Sequence, residues 1–263
     1  MNQPFVAAIV LAAGKGTRMR SELPKVLTPC YGRPMIAYPL DALRFAGVEK
    51  VLTVVGYRAE EVQKALAERT EIEFVLQTEQ RGTGHAVRMC VPKLRQLIEE
   101  NGGKTFPVII IAGDSPLMQG TTIDAILEDW RNSPCACLLG TIVVENPHGL
   151  GRILRDENGN FKGIVEEKDA DETQRLIREV NQSYYVFSAV DLLGVLELLT
   201  PNNAQGEYYI TDAPALLLSQ NKTVRALPIL QPIEAVSVNT PEELKIAEEM
   251  MTGEKKTIRD TQP

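Results

Sequence analysis

Cysteine and histidine are scarce in this sequence, which has four cysteines and two histidines among its 263 residues. So few cysteines do not make a disulfide framework, and we expect reduced thiols. Cys135 and Cys137 lie two residues apart on a predicted strand, but a zinc site there would need two more soft ligands. Only His85 and His148 are available, and each lies in a motif with another use. The scarcity argues against a disulfide-rich secreted protein and against a structural zinc protein.

A positive net charge and long apolar runs are also missing. The net charge of −7 argues against a general nucleic-acid binder, whose surface would be basic. No stretch approaches the roughly 18 apolar residues of a membrane span, and the apolar run near the N-terminus lacks the charged leader of a signal peptide. We therefore expect a cytoplasmic globular protein that binds neither nucleic acid nor membranes.

The first half of the chain alternates between apolar strand patterns and helical patterns, beginning with the apolar run at Val6. This βαβ rhythm predicts an α/β fold with a mostly parallel central sheet and helices on both faces. The predicted strands are residues 50–55, 72–76 and 108–111, and the predicted helices are residues 34–46, 58–68 and 86–100. Pro39 is awkward inside the first helix, which we expect to kink or to start late, and Gly47 fits its C-terminal stop.

After Trp130 the chain becomes richer in strand patterns, which predicts a small β-rich subregion. An Asn-Gly turn between residues 152–155 and 161–165 predicts a hairpin. The other predicted strands are residues 136–144, 184–187 and 223–227, and the predicted helices are residues 191–199, 213–219 and 241–251. Thr240 fits the N-cap of the last helix, and residues 252–263 form a polar tail.

The first strand leads into a glycine loop that carries cations. Small residues let backbone N–H groups approach a phosphate, and fixed cations neutralise the charge that the amides cannot. Lys15, Arg18 and Lys25 lie around Gly14 and Gly16, a set that suits a triphosphate. An ordinary strand-to-helix turn is the alternative, although a surface turn has no reason to gather three cations.

Two common phosphate-binding patterns do not match this loop. A P-loop needs four residues between its first glycine and its Gly-Lys-Ser/Thr, and that spacing is absent. The dinucleotide fingerprint needs a third small residue, but Met19 occupies that position. The loop therefore predicts a phosphate site of another kind.

Two further motifs follow predicted strands and are expected beside the first loop, because parallel-sheet enzymes bind ligands beyond the carboxyl ends of their strands. The primary amide of Gln77 can accept one hydrogen bond and donate another to the polar edge of a nucleobase, whereas we interpret His85 as a packing residue. Asp114 would repel a triphosphate unless a cation intervened, which predicts a Mg²⁺ ligand. The alternatives are a glycine-rich helix entry for Gln77 and helix capping for Asp114.

These segments resemble the sugar-phosphate nucleotidyltransferases, closest to the uridylyltransferases that act on N-acetylglucosamine 1-phosphate. The resemblance runs from about Val6 to about Leu244, and its main motifs are residues 11–19 with Pro24-Lys25, residues 77–86 and residues 202–212. It implies a Rossmann-like nucleotidyltransferase fold in a single domain, residues 1–251. Residues 1–130 would form the nucleotide-binding half, and residues 131–251 the sugar-binding half.

The resemblance also implies roles for individual residues. Arg18 and Lys25 would act on the phosphates as catalytic residues, and Asp114 and Asn239 would bind Mg²⁺. The implied nucleotide-binding residues are Leu11, Ala13, Gly14, Lys15, Gly16, Gln77, Gly82 and Thr83. The implied sugar- and phosphate-binding residues are Gly113, Gly151, Glu166, Asn181, Tyr209 and Thr211. A plain turn residue is the alternative for Asn239, and surface positions of a hairpin are the alternative for Glu166 and Asn181.

The sequence departs from the family pattern on the sugar side. Gln182 and Ser183 follow Asn181 where Thr-Gly is usual, and we expect them to add bulk beside the sugar. Leu150 stands where an aromatic residue is common, and Ala112 where a tyrosine is frequent. These departures leave the identity of the sugar open.

The resemblance implies a Mg²⁺-dependent uridylyltransferase that joins UTP to a hexose 1-phosphate, with N-acetylglucosamine 1-phosphate as the expected sugar, and releases pyrophosphate. Another sugar phosphate such as glucose 1-phosphate, another nucleotide, or a catalytically silent UDP-sugar-binding regulatory protein remain the alternatives. Bifunctional family members also carry a left-handed β-helix acetyltransferase domain. No hexapeptide repeat is visible here, so we expect that activity to be absent and the protein to be a monomer.

Overall fold

A nine-stranded sheet forms the centre of the protein, whose computed structural model describes residues 5–253. The strands are β1 (Ala7–Ala12), β2 (Pro29–Cys30), β3 (Arg33–Pro34), β4 (Lys50–Val55), β5 (Ile72–Leu76), β6 (Pro107–Ala112), β7 (Cys137–Val143), β8 (Gly151–Arg155), β9 (Phe161–Val165), β10 (Glu179–Ser188) and β11 (Val224–Leu227). The principal strands of the sheet follow the order β11-β7-β10-β6-β1-β4-β5, and a hairpin of β8 and β9 branches from β10. A separate two-stranded ladder joins β2 and β3.

Helices cover the sheet and connect its strands. They are α1 (Ala37–Phe45), α2 (Ala59–Ala65), α3 (Thr83–Arg88), α4 (Val91–Glu100), α5 (Gly120–Asn132), α6 (Glu172–Arg175), α7 (Ala189–Leu196), α8 (Ala213–Ser219) and α9 (Pro241–Met251). Short 3-10 helices occupy Thr17–Met19, Lys25–Leu27, Ile210–Asp212 and Pro232–Ala235. Among the described residues, no helix combines the length and the apolar character that a membrane crossing requires.

The central strands are buried on both faces, which explains their nearly continuous apolar sequences. Ile9 and Ile110 belong to the apolar cluster on one face, which includes residues of α3, α4 and α7. Val10 and Ile111 belong to the cluster on the other face, which includes residues of α1 and α5. Strands β1, β4, β5 and β6 are parallel, whereas β10 pairs antiparallel with both β6 and β7. The prediction of a largely parallel sheet with helices on both faces is confirmed.

Several predicted elements match the structure closely. β4, β5 and α8 have the predicted bounds, and α9 begins after Thr240, whose side chain accepts from N–H of Glu243. Helix α1 starts late, at Ala37, which leaves Pro39 in the first turn where its missing N–H does no harm. The hairpin of β8 and β9 is present.

Other predictions were wrong in extent. The predicted helix 86–100 is two helices, because Pro92 occupies the first turn of α4 and a proline fits there but not in a helix interior. Strand β10 is longer than the predicted residues 184–187, and α2 is shorter than residues 58–68. Helix α5 was not predicted at all.

The second half of the chain shares the sheet with the first half. Strand β10 lies between β6 and β7 and is hydrogen-bonded to both. The functional division at residue 130 stays a prediction. Of the predicted polar tail, residues 254–263 lie outside the described part of the chain.

Candidate active site

The carboxyl ends of four neighbouring parallel strands meet at one edge of the sheet. The register pairs Ala12 of β1 with Val55 of β4, and Val55 with Leu76 of β5. On the other side of β1, Ala112 of β6 lies opposite Leu11. The loops that follow these strands begin side by side, at the position where open α/β sheets bind their ligands.

Two cations and two oxygen-bearing side chains converge at this edge. Nζ of Lys25 forms a salt bridge with the carboxylate of Asp114 and donates to Oδ1 of Asn239 at 2.8 Å. Nη2 of Arg18 donates to the same amide oxygen at 3.0 Å. The side chain of Lys25 is only 11% exposed, so its charge is held inside the fold. The structure thus brings together the two residues predicted to be catalytic and the two predicted to bind Mg²⁺.

Gly16 provides the space for Lys25. Its φ of +68° lies in the left-handed region, and a Cβ there would come within 2.5 Å of Cβ of Lys25. Glycine is the residue that meets both conditions without strain. Lys25 itself begins a 3-10 helix directly after the buried Pro24, which fixes the direction of its side chain.

Asn239 is held by the first turn of α9. Oε2 of Glu243 accepts from the backbone N–H of Asn239 at 2.6 Å and from that of Thr240 at 3.0 Å. The hydroxyl of Thr240 accepts in return from N–H of Glu243 at 3.2 Å, which completes a capping box. Sequence reasoning named Thr240 but missed Glu243, although the Thr-x-x-Glu spacing could have identified it.

The donor set of this cluster fits a hard divalent cation. A carboxylate oxygen of Asp114 and the amide oxygen of Asn239 already surround one cationic group, the ammonium of Lys25. Mg²⁺ takes oxygen ligands, needs one or two from the protein and completes its shell with water and phosphate oxygens. Within residues 5–253 no group of three or more His, Cys, Asp or Glu side chains offers a softer or all-protein site.

A buried amide lies beyond the carboxyl end of β5. Gln77 is 3% exposed, and its Nε2 donates to the carbonyl of Gly82 at 3.3 Å and lies 3.0 Å from Nδ1 of His85. Gln77 is therefore not an exposed residue of a helix entry, which was the alternative interpretation. His85 lies next to it at the start of α3 and contacts the polar end of its side chain.

The loop after Gln77 is tied to the segment that precedes the 3-10 helix Ile210–Asp212. A Cβ at Gly82 would come within 2.5 Å of the carbonyl oxygen of Tyr208, and N–H of Gly84 donates to that oxygen at 2.7 Å. The hydroxyl of Thr83 accepts from N–H of Ile210 at 3.1 Å. Gly82 and Thr83 thus join the predicted nucleotide-binding half to the segment with the predicted sugar-binding residues.

The remaining predicted nucleotide-binding residues line the first loop. N–H of Gly113 donates to the carbonyl of Leu11 at 2.9 Å, and the carbonyl of Ala13 accepts from N–H of Tyr57 at 3.1 Å. Gly14 is exposed, and Nζ of Lys15 lies 5.3 Å from the centroid of the Tyr57 ring. Lys15 therefore contacts an aromatic ring rather than the Lys25 cluster, and Tyr57 was not predicted from the sequence.

A second group of predicted residues surrounds the carboxylate of Glu166. Burial raises the pKa of Glu166 above its ordinary value of 4.5, the hydrogen bond from Thr211 acts in the opposite direction, and the carboxylates of Asp169 and Asp212 raise it further. A Cβ added at Gly151 would meet Oε2 of Glu166 at 3.5 Å. The tightest contact of that Cβ would be with Cγ2 of Ile164 at 3.1 Å, so Ile164 rather than Glu166 limits the space at this position.

Asn181 and Tyr209 complete this second group. A Cβ at Gly151 would also lie 3.6 Å from Cβ of Asn181, whose Nδ2 donates to the hydroxyl of Tyr185 at 2.7 Å. The hydroxyl of Tyr209 accepts from Nε2 of Gln205 at 2.6 Å. Asn181 and Tyr209 are both buried, so Asn181 is not the surface residue of the alternative interpretation. Tyr185 was not predicted as a member of this group, because only the pairing of β10 brings its hydroxyl next to Asn181.

Gln182 contacts the segment that precedes Asn239. Its Nε2 donates to the carbonyl of Ala235 at 2.9 Å, and its Oε1 accepts from the hydroxyl of Ser237 at 3.0 Å. The polar end of Gln182 therefore contacts the loop that leads to Asn239, and its effect beside the sugar stays a prediction. Ser183 has a φ of +56° at an irregularity of β10, the left-handed conformation for which glycine is usual.

Comparisons with known proteins agree with this geometry. The MobA-like NTP transferase domain matches residues 8–191. The chain is 42% identical over 244 residues to the bifunctional protein GlmU of Heliobacterium modesticaldum, covering 93% of this chain and 51% of that protein. It is 41% identical over 241 residues to the bifunctional protein GlmU of Bacillus licheniformis, covering 92% and 51%. The chain thus spans about half the length of the curated relatives that it matches.

Solved structures share the fold at low sequence identity. One is a Bacillus anthracis protein described as a glucose-1-phosphate thymidylyltransferase, in complex with sucrose, with a TM-score of 0.75, 18% identity and coverage of 93% of this chain and 94% of that one. Another is a UDP-glucose pyrophosphorylase with bound UDP-glucose, with a TM-score of 0.73, 17% identity and coverage of 96% and 100%. The family match and the relatives' likeness together establish that this chain belongs to the MobA-like NTP transferase domain family and is a nucleotidyltransferase.

Proposed function

We propose that this protein is a Mg²⁺-dependent uridylyltransferase that joins UTP to N-acetylglucosamine 1-phosphate and releases pyrophosphate. The single observation that carries the proposal is the convergence of Lys25, Arg18, Asp114 and Asn239 at the carboxyl edge of the sheet. Two mutually repelling phosphates meet in this reaction, and such a cluster cancels their charge. Likeness to bifunctional GlmU proteins over their matching half supports the choice of nucleotide and sugar.

In the proposed reaction, a phosphate oxygen of the sugar phosphate attacks the α-phosphorus of UTP. A new P–O bond forms as the bond from the α-phosphorus to the bridging oxygen of the β-phosphate breaks, and the electron pair leaves with pyrophosphate. The attacking phosphate needs no general base, because its second pKa is near 6 and it is largely dianionic at neutral pH. Catalysis then consists of positioning and charge neutralisation.

The residues of the cluster divide this work. Lys25 and Arg18 donate hydrogen bonds to oxygens that gain negative charge on the α-phosphate and on the departing pyrophosphate. Asp114 and Asn239 would hold Mg²⁺, which supplies charge neutralisation between the phosphates and keeps them aligned. The same four residues favour an enzyme over a silent UDP-sugar-binding protein, because a protein that only binds a nucleotide sugar has no need of them.

The other ends of the two substrates have their own residues. Gln77, Gly82 and the first glycine loop would bind the uridine, whereas Glu166 and Asn181 would bind the hydroxyl and amide groups of the sugar. The nucleotide half would comprise residues 1–130 and the sugar half residues 131–251. We also propose that the enzyme works in the cytoplasm as a monomer and binds neither nucleic acid nor membranes.

A substrate panel tests the proposal. UTP, dTTP, CTP, ATP and GTP are each combined with N-acetylglucosamine 1-phosphate, glucose 1-phosphate and galactose 1-phosphate, and pyrophosphate release is measured with Mg²⁺ and with EDTA. The expected result is the highest kcat/KM for UTP with N-acetylglucosamine 1-phosphate, and no turnover with EDTA. A preference for glucose 1-phosphate or dTTP would replace the proposed substrates, and a Lys25→Met variant, which should turn over far more slowly, controls for contaminating activity.

A further inference from the structure

The amide nitrogen of Gln77 has two neighbours that constrain its orientation. It donates to the carbonyl of Gly82 at 3.3 Å, and it lies 3.0 Å from Nδ1 of His85. A carbonyl oxygen can only accept a hydrogen bond, so the side of the amide that faces Gly82 must be its NH₂ group. The carboxamide oxygen Oε1 consequently points the other way, and it takes part in no hydrogen bond within residues 5–253.

This orientation determines the protonation of His85. Because the NH₂ group of Gln77 is a donor, Nδ1 of His85 must be an acceptor and carries no proton. The imidazole is then neutral, with its proton on Nε2. Adding a proton to Nδ1 would place two donors against each other. The contact would then break, or the amide would rotate by half a turn and bring Oε1 next to the carbonyl oxygen of Gly82, which is also an acceptor.

The surroundings of His85 favour the neutral ring. Burial and the positive charges of Arg81 and Arg88 lower the pKa of His85 below its ordinary value of 6.5. The backbone and the carboxylate of Glu79 act in the opposite direction but are smaller influences. Both guanidinium groups lie over the ring of Tyr208, at 5.2 Å for Arg81 and 4.6 Å for Arg88, and this ring is 6.3 Å from that of His85.

We infer that His85 is a positioning residue that holds Oε1 of Gln77 toward the nucleobase and thereby selects a base that offers an N–H donor. This role rests on the proposed function, in which Gln77 reads the pyrimidine edge. Uracil presents N3–H, which Oε1 accepts, whereas cytosine presents an unprotonated N3 and would set two acceptors against each other. The His85–Gln77 contact therefore distinguishes UTP from CTP through a residue that does not touch the base.

The kinetic test uses two substitutions, one that removes the acceptor and one that keeps an acceptor. His85→Phe keeps a planar ring but removes Nδ1, and we expect the KM for UTP to rise about tenfold with little change in kcat, together with a similar loss of preference for UTP over CTP. His85→Asn keeps an acceptor at the δ position that cannot be protonated, and it is expected to retain the wild-type KM and preference. Thermal unfolding of both variants verifies that they fold.

The pH dependence separates positioning from packing. The wild-type KM for UTP should rise as the pH falls below 6.5 and through the pKa of His85. UTP itself also titrates, so the comparison uses the ratio of the wild-type KM to the KM of His85→Asn, in which the titration of UTP cancels. When Gln77 is already replaced by alanine, adding His85→Phe should change neither the KM for UTP nor the preference for UTP over CTP, because His85 acts only through Gln77. Additive effects, or an unchanged KM and preference in His85→Phe, would overturn the inference.

A spectroscopic measurement tests the tautomer without any turnover. The chain has two histidines, so the imidazole ¹⁵N chemical shifts of the wild-type protein can be assigned with His148→Gln alone. At neutral pH we expect the His85 ring to carry its proton on Nε2. A ring protonated on Nδ1 would refute the inference whatever the substrate is. Absence of UTP turnover combined with the expected tautomer would instead overturn the proposed function and, with it, the base selection.

Discussion

Nζ of Lys25 donates a 2.8 Å hydrogen bond to Oδ1 of Asn239, although the two residues are 214 positions apart in the chain. Lys25 follows β1, and Asn239 precedes α9. Their meeting point also includes the carboxylate of Asp114 and the guanidinium of Arg18. Substitutions in this cluster and at Glu166 would show whether these side chains act as proposed.

Removing the ammonium of Lys25 should slow turnover without unfolding the protein. Lys25→Met keeps the aliphatic part of the side chain beside Gly16, but we expect kcat to fall about 100-fold, because losing one such contact raises the barrier by about 3 kcal/mol. Pyrophosphate release at saturating UTP measures the effect. Lys245→Met is the control, since the Lys245 side chain is 78% exposed. Near-wild-type turnover of Lys25→Met would exclude the catalytic role.

Gly16→Ala should damage the site through Lys25 as well as through the backbone. A left-handed φ costs an alanine about 1–2 kcal/mol, and the new methyl group would also displace Lys25. Gly102 has the same φ of +68° but nothing within 4 Å of an added Cβ, so Gly102→Ala isolates the backbone cost. In chemical denaturation we expect the larger loss of stability in Gly16→Ala, because its added methyl group also collides with Lys25, and we expect a drop of turnover of at least about tenfold in that variant alone. Equal activities would show that the contact is unimportant.

Asp114→Asn should weaken the binding of Mg²⁺ rather than the binding of the sugar. The amide keeps the shape of the side chain but removes the negative charge that attracts the divalent ion, so the Mg²⁺ concentration for half-maximal rate should rise at least about tenfold. A titration of the rate with MgCl₂ measures this shift. Asp124→Asn changes an exposed carboxylate on α5 and should leave the titration unchanged. An identical Mg²⁺ dependence in Asp114→Asn would refute the metal role.

Glu166→Gln should stabilise the protein at neutral pH while weakening its binding of the sugar phosphate. Because burial raises the pKa of Glu166 above 4.5, the folded state binds its proton more tightly than the unfolded state does. The stability that this group contributes is present below pH 4.5 and is lost as the pH rises through the folded-state pKa. The Tm of the variant should therefore exceed the wild-type Tm at neutral pH, and the difference should shrink as the pH approaches 4.5.

The same variant should raise the KM for the sugar phosphate about tenfold, as expected for the loss of one charged hydrogen-bond acceptor. Differential scanning calorimetry across pH and steady-state kinetics give the two results. Glu145→Gln, at an exposed position, provides the control for both. A Tm difference that does not depend on pH would argue that Glu166 is not the group responsible.

The strands were easier to predict than the helices. Apolar runs such as those of β4 and β5 are recognisable because both faces of a parallel strand are buried. Helix α5 was missed although its buried residues follow a helical spacing, because its N-cap, Gln119, offers no side-chain hydrogen bond to mark the start. The first residues of β10 are polar, and only their pairing with β7 and β8 makes them a strand.

The candidate site was predictable where a motif lies at a strand end, as for Gln77 and Asp114. It was not predictable where a contact depends on distant pairing. Tyr185 reaches Asn181 because β10 is irregular there, and Gln182 turns toward Ser237, which no local pattern indicates. Gln77 and His85 belong to one motif, yet the sequence does not reveal that Nε2 of Gln77 faces Nδ1 of His85.

The position of β10 restricts how this enzyme can move. Hinge closure of the two halves about residue 130 would break the ladder that joins β10 of the second half to β6 of the first half, since both strands belong to one continuous sheet. We then expect the loops at the carboxyl edge of the sheet to move when the substrates bind, while the sheet itself keeps its shape. Labels placed on α2 and on α7 should keep the same separation whether the enzyme is empty or saturated.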